Sequence, residues 1–505
     1  MNFAKVFSAE LEGIEAKLIE VEVDLNIGLH EFNIVGLGDK AVSEAKERVS
    51  AALKNSGLKP PAKENRKITV NLAPADVKKT GSQYDLAIAL GYLLASAQVK
   101  NIETAGRIFI GELALDGSLR PVAGALNVAL MAQRTGFKTI YLPIQNAREI
   151  NIVSGLEIIP VPSLSALLDH FENINPLIPE EIGGFKPTRP TGTDITEIKG
   201  QEAAKRALII TAAGGHNILM SGPPGSGKTM LAQALNSIMP PLTLDEAIES
   251  SAIWSAAGLL RGNYLSARPF RAPHHTASPA ALTGGGSNPR PGEISLAHRG
   301  VLFLDELPEF RRDILESLRQ PLESGEISIA RARRSLLFPS RFILVAAMNP
   351  CPCGYWGDPE KECRCTAYEI FRYQKKISGP LLDRIDIQII VPRLKLNELQ
   401  KPAGDSRSYR TAVTKARGVQ AERFRKARRK IVTNAEMTSK DCDELIKLSP
   451  EADLFLRQVF DRSRLGARGY YRLLKTARTI ADLDGSELVG KNEIAEAFQL
   501  KVKEG

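Results

Sequence analysis

Two hydrophobic periods alternate along the first third of the chain. Residues 18–25 alternate apolar and polar side chains with a period of two, which predicts a half-buried strand. Residues 39–58 carry apolar side chains at helical spacing, which predicts a helix with one buried face. The same periods predict further strands over 67–72, 107–113 and 139–142, and further helices over 85–97 and 127–134. We therefore predict an α/β domain over residues 1–172.

This alternation stops after residue 172. Prolines and glycines then recur up to residue 193 and predict a linker; they are Pro176, Pro179, Gly183, Gly184, Pro187 and Pro190. From residue 194 to 393, short apolar strands alternate again with helices, which predicts a central α/β domain. Residues 394–505 show helical spacing and no strong strand signal, so we expect a helical C-terminal domain.

The composition is that of an ordinary soluble globular protein, with 43% hydrophobic and 25% charged residues. No apolar run approaches the roughly 20 residues that span a bilayer, so we expect no membrane partner. Glu10, Glu12 and Glu15 follow soon after Met1, which is unlike a signal peptide and predicts a cytoplasmic protein. The net charge of +9 favours polyanionic partners, but only weakly.

One segment of the central domain matches the phosphate-binding pattern G-x-x-x-x-G-K-[ST]. Its residues are Gly222, Pro223, Pro224, Gly225, Ser226, Gly227, Lys228 and Thr229. A short apolar strand precedes the segment and a run with helical spacing follows it, so the helix N-terminus points at the bound phosphates. Lys228 is expected to reach the β- and γ-phosphates and Thr229 to ligate Mg²⁺. The sequence therefore predicts ATP and Mg²⁺ as cofactors.

Two further apolar strands end in polar residues suited to the same site. Residues 301–304 predict a buried strand, and Asp305 and Glu306 follow it directly. We expect Asp305 to hold the Mg²⁺ shell and Glu306 to polarise the attacking water. Asn349 ends the next apolar run and is expected to orient that water. An ordinary buried strand with an exposed acidic end is the alternative for the Asp305–Glu306 segment.

Two arginines complete the predicted catalytic set. Arg384 is predicted to reach the γ-phosphate of a neighbouring subunit and to stabilise charge in the transition state. Arg468 begins a helix in the last domain, from which it is expected to fold back onto the nucleotide. A plain surface or capping role is the alternative for both arginines and for Asn349.

The order of these motifs resembles that of the AAA+ ATPases. Residues 198–201 resemble the segment that flanks the adenine in that superfamily, which implies nucleotide contacts for Ile198 and Gly200. Residues 271–276, 292–299 and 472–483 resemble the magnesium-chelatase-like branch, and within it the ComM/YifB family. The resemblance implies a homohexamer with ATP between subunits and a helical C-terminal lid. It also implies a helicase that drives branch migration on single-stranded and branched DNA during natural transformation and homologous recombination.

The N-terminal domain resembles the Lon-protease-like domain of that family, which has the ribosomal S5 domain 2-like fold. Lon proteases use a serine nucleophile and a lysine base, but Gln83 and Leu126 stand at those places here. Ser82 is one position off, and no lysine is expected to accompany it. We therefore expect a scaffold or DNA-guiding role. An ATP-dependent protease is disfavoured by the missing dyad, and a metal-chelatase subunit is disfavoured by the fused domain.

Four cysteines follow Asn349 in the spacing C-x-C-x₉-C-x-C, and they are Cys351, Cys353, Cys363 and Cys365. Four thiolates this close in sequence can close a tetrahedral, structural Zn²⁺ site. The one-residue spacers are tighter than the common two-residue ones. Free cytosolic thiols are the alternative.

Residues 326–338 predict a β-hairpin with a basic tip formed by Arg331, Arg333 and Arg334. These side chains are expected to follow DNA phosphates without reading bases. A solvated basic turn is the alternative. Related AAA+ motors carry a pore-facing hairpin at this place in the chain. Residues 270–291 predict a second, flexible loop that faces the pore. The basic run at 423–430 is expected on a helix, and such a run is usually a solvated face.

Overall fold

The computed structural model of the protein describes residues 2–61, 66–99, 102–190, 192–260, 262–286, 288–330, 335–394, 405–463 and 466–501. In the N-terminal part, the strands are β1 Phe3–Glu12, β2 Glu15–Ile27, β3 Glu31–Val35, β4 Arg66–Ala73, β5 Arg107–Phe109, β6 Glu112–Leu113, β7 Leu119–Arg120, β8 Thr139–Pro143 and β9 Glu157–Val161. The helices are α1 Lys40–Ser43, α2 Ala45–Asn55, α3 Asp85–Ala95, α4 Ala125–Arg134, α5 Ile144–Ile150 and α6 Leu164–Phe171.

Two main sheets organise this part, in the orders β1-β2-β4-β3 and β5-β8-β9. The alternation predicted in β2 is confirmed, because its apolar side chains at 19, 21, 23 and 25 are buried. The predicted helix over 39–58 is divided by Glu44 into α1 and α2. The predicted strand over 107–113 is divided into β5 and β6, with Gly111 between them at a φ of +157°.

The central part is built on one parallel sheet, in the order β11-β14-β17-β10-β18. Its strands are β10 Ile218–Ser221, β11 Phe270–Arg271, β12 Gly284–Gly285, β13 Arg290–Pro291, β14 Val301–Leu304, β15 Glu326–Ala330, β16 Ser335–Pro339, β17 Ile343–Met348 and β18 Ile387–Ile390. The helices are α7 Glu202–Gly214, α8 Lys228–Ile238, α9 Leu244–Ala257, α10 Pro279–Thr283, α11 Glu293–Leu296, α12 Arg312–Ser317, α13 Arg319–Ser324, α14 Ala367–Gln374 and α15 Gly379–Leu382. Strands β14 and β17 are buried on both faces, which explains their continuous apolar sequences.

The segment between these two parts is extended. Its described residues, 173–190 and 192–193, form neither helix nor strand, as the prolines predicted. It lies along the central part: Phe185 packs on Tyr264, and the backbone N–H of Thr188 donates to Ser266 O over 2.9 Å.

The C-terminal part consists of helices in its described residues, as predicted: α16 Ser406–Lys426, α17 Ser439–Leu445, α18 Pro450–Ser463, α19 Ala467–Asp484 and α20 Lys491–Gln499. Leu473 and Ala477 of α19 share one hydrophobic core with Ile218 of the parallel sheet. Arg472 donates to Asp386 over 3.1 Å, so α19 lies at the edge of the sheet where its strands begin. Among the described residues, no helix combines the length and the apolar character that crossing a bilayer requires.

The contacts between the N-terminal part and the central part include a helix end and a turn. The backbone N–H of Gly124, at the start of α4, donates to Ser255 O of α9 over 2.8 Å. The turn between β1 and β2 packs against the β15–β16 hairpin, since a Cβ on Gly13 would lie 3.7 Å from both Leu336 and Phe338. The N-terminal part therefore contacts the body of the central domain and its hairpin at once.

Candidate nucleotide site

The phosphate-loop pattern lies between β10 and α8, at the edge of the sheet where the strands end. Gly225 and Gly227 have φ values of +78° and +89°, which side chains rarely adopt, and a Cβ on either would meet nothing within 4 Å. A Cβ on Gly222 would lie 2.2 Å from Val391 O, so only glycine fits there. The loop thus keeps its outer face open while its base packs against the sheet.

Lys228 is the first residue of α8, and its ammonium group lies inside the loop. It donates to the carbonyl oxygens of Gly222 and Pro223 over 2.8 and 2.9 Å, and to Asn349 Oδ1 over 3.3 Å. Burial lowers the pKa of this ammonium group. Ser226 Oγ is also buried and has no hydrogen-bond partner among the described residues. A buried cation and an unpaired hydroxyl in one loop fit a phosphate anion.

The predicted magnesium ligands are adjacent. Thr229 Oγ1 donates to Asp305 Oδ2 over 3.0 Å. Glu306 follows β14 with a left-handed φ of +52°, and its side chain is 55% exposed. The backbone N–H of Glu306 donates to Asp305 Oδ1 over 2.9 Å. Oxygen ligands of this kind suit Mg²⁺, and the Glu306 carboxylate remains accessible beside them.

His275 is a residue of this site that our sequence reasoning missed. Its Nδ1 lies 3.4 Å from Glu306 Oε2, and its ring packs on His274 with centroids 4.1 Å apart. Both histidines belong to the motif at 271–276. The spacing of that motif does not indicate that His275 lies beside the residues that follow β14. Through this contact, the start of the 270–291 segment lies beside the predicted catalytic carboxylate of Glu306.

The predicted adenine-flanking segment is held against the phosphate loop. Gln201 Nε2 donates to Pro392 O over 2.7 Å and to Ser226 O over 3.5 Å. Gly200 and Gln201 both have left-handed backbone angles, and Ile198 is buried. The contacts of Gln201 bring this segment next to the phosphate loop, and nucleotide contacts of Ile198 and Gly200 stay a prediction.

Arg384 and Arg468 lie at the opposite edge of the sheet. Asn217, just before β10, donates to Arg384 O over 3.1 Å. Both arginines contact Glu323, and the contact of Arg468 Nη2 with Oε1 measures 2.6 Å. Asn217 and Gly222 flank β10 and are about 16 Å apart at roughly 3.3 Å per residue. Arg468 thus lies with Arg384, at the edge of the sheet opposite the phosphate loop of its own chain, and its predicted contact with the nucleotide stays a prediction.

A cavity of about 610 Å³ opens beside this arginine pair, between the start of the sheet and the C-terminal helices. Its basic side chains are Arg268, Arg299, Arg341, Arg417, Arg468, Arg472 and Lys475, and its acidic ones are Glu246, Glu323, Asp386 and Glu436. Burial lowers the pKa of Arg417 to about 10. The excess of cations makes this edge of the molecule attractive to anions.

The clustered cysteines converge in space. Their four Sγ atoms lie within 4.8 Å of one another, and Cys351 is 3.4 Å from Cys353 and 3.6 Å from Cys363. Sulfurs bound 2.3 Å from a tetrahedral Zn²⁺ lie about 3.8 Å apart. Backbone N–H groups of Arg364 and Tyr355 lower the pKa of Cys353 to about 6. The donor set therefore fits Zn²⁺ in both element and spacing.

The cysteine loop also touches the nucleotide site. A Cβ on Gly354 would lie 2.7 Å from Pro224 Cδ, so the loop packs directly on the phosphate loop. Arg393, just after β18, pairs with Asp358 over 3.2 Å. The cysteine loop thus connects the phosphate loop with the end of the neighbouring strand.

Two predicted DNA-facing elements are present. Strands β15 and β16 form the predicted antiparallel hairpin, but Arg331, Arg333 and Arg334 lie outside the described residues. The 270–291 segment is more ordered than a flexible loop, since it contains β11, α10, β12 and β13. Asn288 near its tip donates to Thr80 Oγ1 of the N-terminal part over 3.2 Å.

The basic run at 423–430 is partly a structural feature and partly an exposed cationic face. Helix α16 ends at Lys426, so the run is only partly helical. Arg423 pairs with Asp482, and Arg429 pairs with Asp441 over 2.6 Å. Arg423 and Arg429 thus form ion pairs within the C-terminal part.

The place of a Lon-type dyad holds a hydrogen-bonded cluster. Gln83 donates to Glu10 over 3.0 Å, and Leu126 is fully buried. Lys79, three positions before Ser82, is buried. Lys79 Nζ donates to a backbone carbonyl, and Ser82 Oγ donates to Glu112. Neither contact joins Ser82 to Lys79, so the serine–lysine pair of a Lon-type dyad is not formed by these residues.

Three family models match successive segments of the chain. Residues 194–399 match a family model described as magnesium chelatase, subunit ChlI. Residues 21–146 match a model described as subunit ChlI of Mg-chelatase. Residues 403–501 match the C-terminal model of the same subunit.

Three relatives show how far the similarity extends. Competence protein ComM of Haemophilus influenzae is 44% identical over 99% of this chain and 97% of its own length. The YifB protein of Escherichia coli is 42% identical over the same shares. The magnesium-chelatase 38 kDa subunit of Cereibacter sphaeroides is 24% identical over 59% of this chain and 87% of its own length. The central part of the chain thus matches the magnesium-chelatase model, and the chain as a whole belongs to the ComM/YifB family.

Proposed function

We propose that the protein is an ATP-driven DNA motor, a homohexameric branch-migration helicase that acts in natural transformation and homologous recombination. The observation that carries this proposal is that the predicted catalytic groups lie at two opposite edges of the central sheet. Lys228 and Asp305 lie at one edge of the sheet, and Arg384 lies at the other. A second copy of the chain would bring the two edges together around one nucleotide, which supports the proposal.

The residues of the first edge have distinct roles. Backbone N–H groups of 222–227 and the start of α8 bind the phosphates, with Lys228 as the nearest cation. Thr229 and Asp305 are placed to hold Mg²⁺. Glu306 accepts a proton from the attacking water, which Asn349 orients. Bound Mg²⁺-ATP supplies the phosphoryl group that this water attacks.

DNA is supported as the substrate by three features. The basic hairpin lies beside the ATPase sheet, between β14 and β17 in the chain. The overall charge of +9 favours a polyanion. A relative that matches nearly the whole chain is named a competence protein. We place the protein in the cytoplasm, where incoming DNA is recombined.

A direct test measures the ATPase rate alone and with single-stranded, double-stranded and branched DNA. We expect stimulation by DNA, strongest with a branched substrate, and movement of the branch only when ATP is present. A rate that is insensitive to all three DNAs, with no DNA retained by the protein, would contradict the proposal.

The magnesium-chelatase subunit is the second candidate, because such subunits match about three-fifths of the chain. The portion of the chain that lies outside those matches argues for a different task. We further propose that the N-terminal part is a Lon-protease-like scaffold, because Gln83 and Leu126 leave no acylation chemistry. Absence of peptidase activity alongside DNA-stimulated ATPase activity is the expected result.

The hairpin tip gives a prediction about DNA. Replacing Arg331, Arg333 and Arg334 with alanine should weaken binding to all DNA sequences alike. The slope of log K against log salt should become shallower by about 0.7 to 0.9 for each phosphate that the variant no longer neutralises. Basal ATPase activity should persist, while stimulation by DNA and branch movement fall together.

A charge-matched control separates local binding of phosphate from net charge. Arg425, Lys426 and Arg457 are about three-quarters exposed, and each pairs with a carboxylate within one helical turn. Alanine at these positions also removes three positive charges, but it removes them from the C-terminal helices. If both triple variants change the salt slope equally, the hairpin does not bind the DNA.

We also propose that the cysteine cluster holds one structural Zn²⁺. Four protein thiolates would leave no open coordination position for catalysis. The site would fasten the loop that packs on Pro224 and reaches Arg393 through Asp358. Zinc would thereby stabilise the shape of the nucleotide site from outside.

Elemental analysis of protein purified without chelator should find one Zn²⁺ per chain. Cys363→Ala should lose the metal, because three thiolates bind Zn²⁺ less tightly than four. Cys442→Ala is the matched control, since Cys442 lies in a separate buried cluster with Phe424 and Met437. A metal-free preparation that remains folded and fully active would exclude the zinc site.

A further inference from the structure

Glu323 connects two arginines that are remote from it in sequence. It lies in α13, whereas Arg384 follows α15 and Arg468 lies in the first turn of α19. The separations along the chain are 61 and 145 residues. Only the tertiary fold brings these side chains to one place, beside the basic cavity.

Both oxygens of the Glu323 carboxylate accept hydrogen bonds. Arg384 Nη2 donates to Oε2, and Arg468 Nη2 donates to Oε1 over 2.6 Å. Two guanidinium groups this close repel each other, and the carboxylate between them offsets that repulsion. Arg384, and to a smaller extent Arg468, lowers the pKa of the Glu323 carboxyl.

The arginines retain donors for another anion. Arg384 is nearly buried, with its Nη1 bonded to Pro380 O over 2.7 Å, but its Nε has no acceptor among the described residues. A buried donor without an acceptor is costly, and it indicates an acceptor that arrives from outside the chain. Arg468 and Glu323 are about half-exposed, so the pair faces solvent on one side.

We propose that Glu323 is a positioning residue that holds Arg384 and Arg468 side by side to receive a phosphate group of the nucleotide bound to a second copy of this chain. This inference rests on the proposed function. Guanidinium groups suit phosphate because they donate two parallel hydrogen bonds in a fixed plane. Without Glu323, the long, exposed Arg468 side chain loses its only charged partner among the described residues.

The first test is Glu323→Gln, which keeps the shape of the side chain and removes its charge. We expect kcat for ATP hydrolysis to fall about 10- to 100-fold, because misplacing a catalytic group by about 1 Å has effects of this size. ATP affinity should not change, because Lys228 lies at the other edge of the sheet. Glu323→Asp should recover part of the kcat, since it keeps the charge. Glu316→Gln is the control, because Glu316 pairs only with Arg319 among the described residues.

Mixed assemblies separate positioning from a general loss of structure. Glu323→Gln chains should regain activity when mixed with Lys228→Ala chains, because each supplies the half-site that the other lacks. Glu323→Gln chains mixed with Arg384→Ala chains should gain nothing, because both lack the same half-site. Recovery in the first mixture also shows that the Glu323→Gln chain is folded.

The outcomes separate this inference from the proposed function. If Arg384→Ala and Lys228→Ala chains fail to complement each other, the shared nucleotide site itself is wrong. If they do complement, a wild-type kcat for Glu323→Gln overturns the positioning role. A raised kcat overturns it as well, because Glu323 would then compete with phosphate. A Glu323→Gln chain that no mixture rescues shows a structural role only.

Discussion

Replacing Arg384 with alanine is expected to lower ATP turnover by about 10³- to 10⁵-fold, the range seen when an arginine that contacts transferring phosphate is removed. The residue carries a full positive charge and is mostly buried, so alanine removes charge that water cannot replace. ATP binding should be preserved, because the phosphate loop lies at the opposite edge of the sheet. Binding of a fluorescent ATP analogue and steady-state hydrolysis measure the two effects separately.

Mixing the variant with Lys228→Ala chains tests whether Arg384 acts on a neighbouring copy. Each mixed interface between a normal loop and a normal arginine should hydrolyse ATP, so activity should exceed that of either variant alone. Arg311→Ala is a suitable control, because Arg311 is 65% exposed and, in the described part of the chain, pairs only with the nearby Asp313. Mixtures that never exceed the separate variants would place Arg384 outside the shared site.

Glu306→Gln should keep ATP bound and lose its hydrolysis, by about 10²- to 10⁴-fold. Glutamine has the same shape and can retain the contact with His275, but it cannot accept the proton of the attacking water. Single-turnover hydrolysis, measured beside ATP binding, separates this defect from that of Lys228→Ala, which should lose binding as well.

Glu309→Gln is the matched control for this change, since Glu309 is 43% exposed and pairs with Lys376. Its hydrolysis rate should remain near that of the unmodified protein. Equal rates for Glu306→Gln and the unmodified protein would show that another group activates the water.

Sequence was most informative where chemistry is local. The phosphate loop, the acids after β14 and the amide after β17 each follow a short apolar strand. Because parallel strands end at one edge of a sheet, their spacing along the chain already implied that Lys228, Asp305 and Asn349 meet. Strands β2 and β4 were equally clear, since one face of each is buried and the other is half-exposed.

Other features could not be predicted from the sequence, because they depend on tertiary packing. Strand β1 carries Ser8 and Glu10 in buried positions, which obscures its alternation of apolar and polar residues. The place of Arg468 depends on which edge of the sheet the C-terminal helices cover, and helical periodicity does not contain that information. Glu323 could not be identified for the same reason, since its two partners come from distant segments.

The placement of loop and arginines on opposite edges of one sheet has a consequence for how activity depends on protein concentration. Under the proposed arrangement, an isolated chain binds ATP but lacks the cations that complete the reaction. The rate per chain then rises with concentration as copies associate, and it levels off once rings are closed. Dilution alone would then silence the proposed ATPase, and a cell that holds only a few copies would spend little ATP on them until DNA or new synthesis brings the chains together.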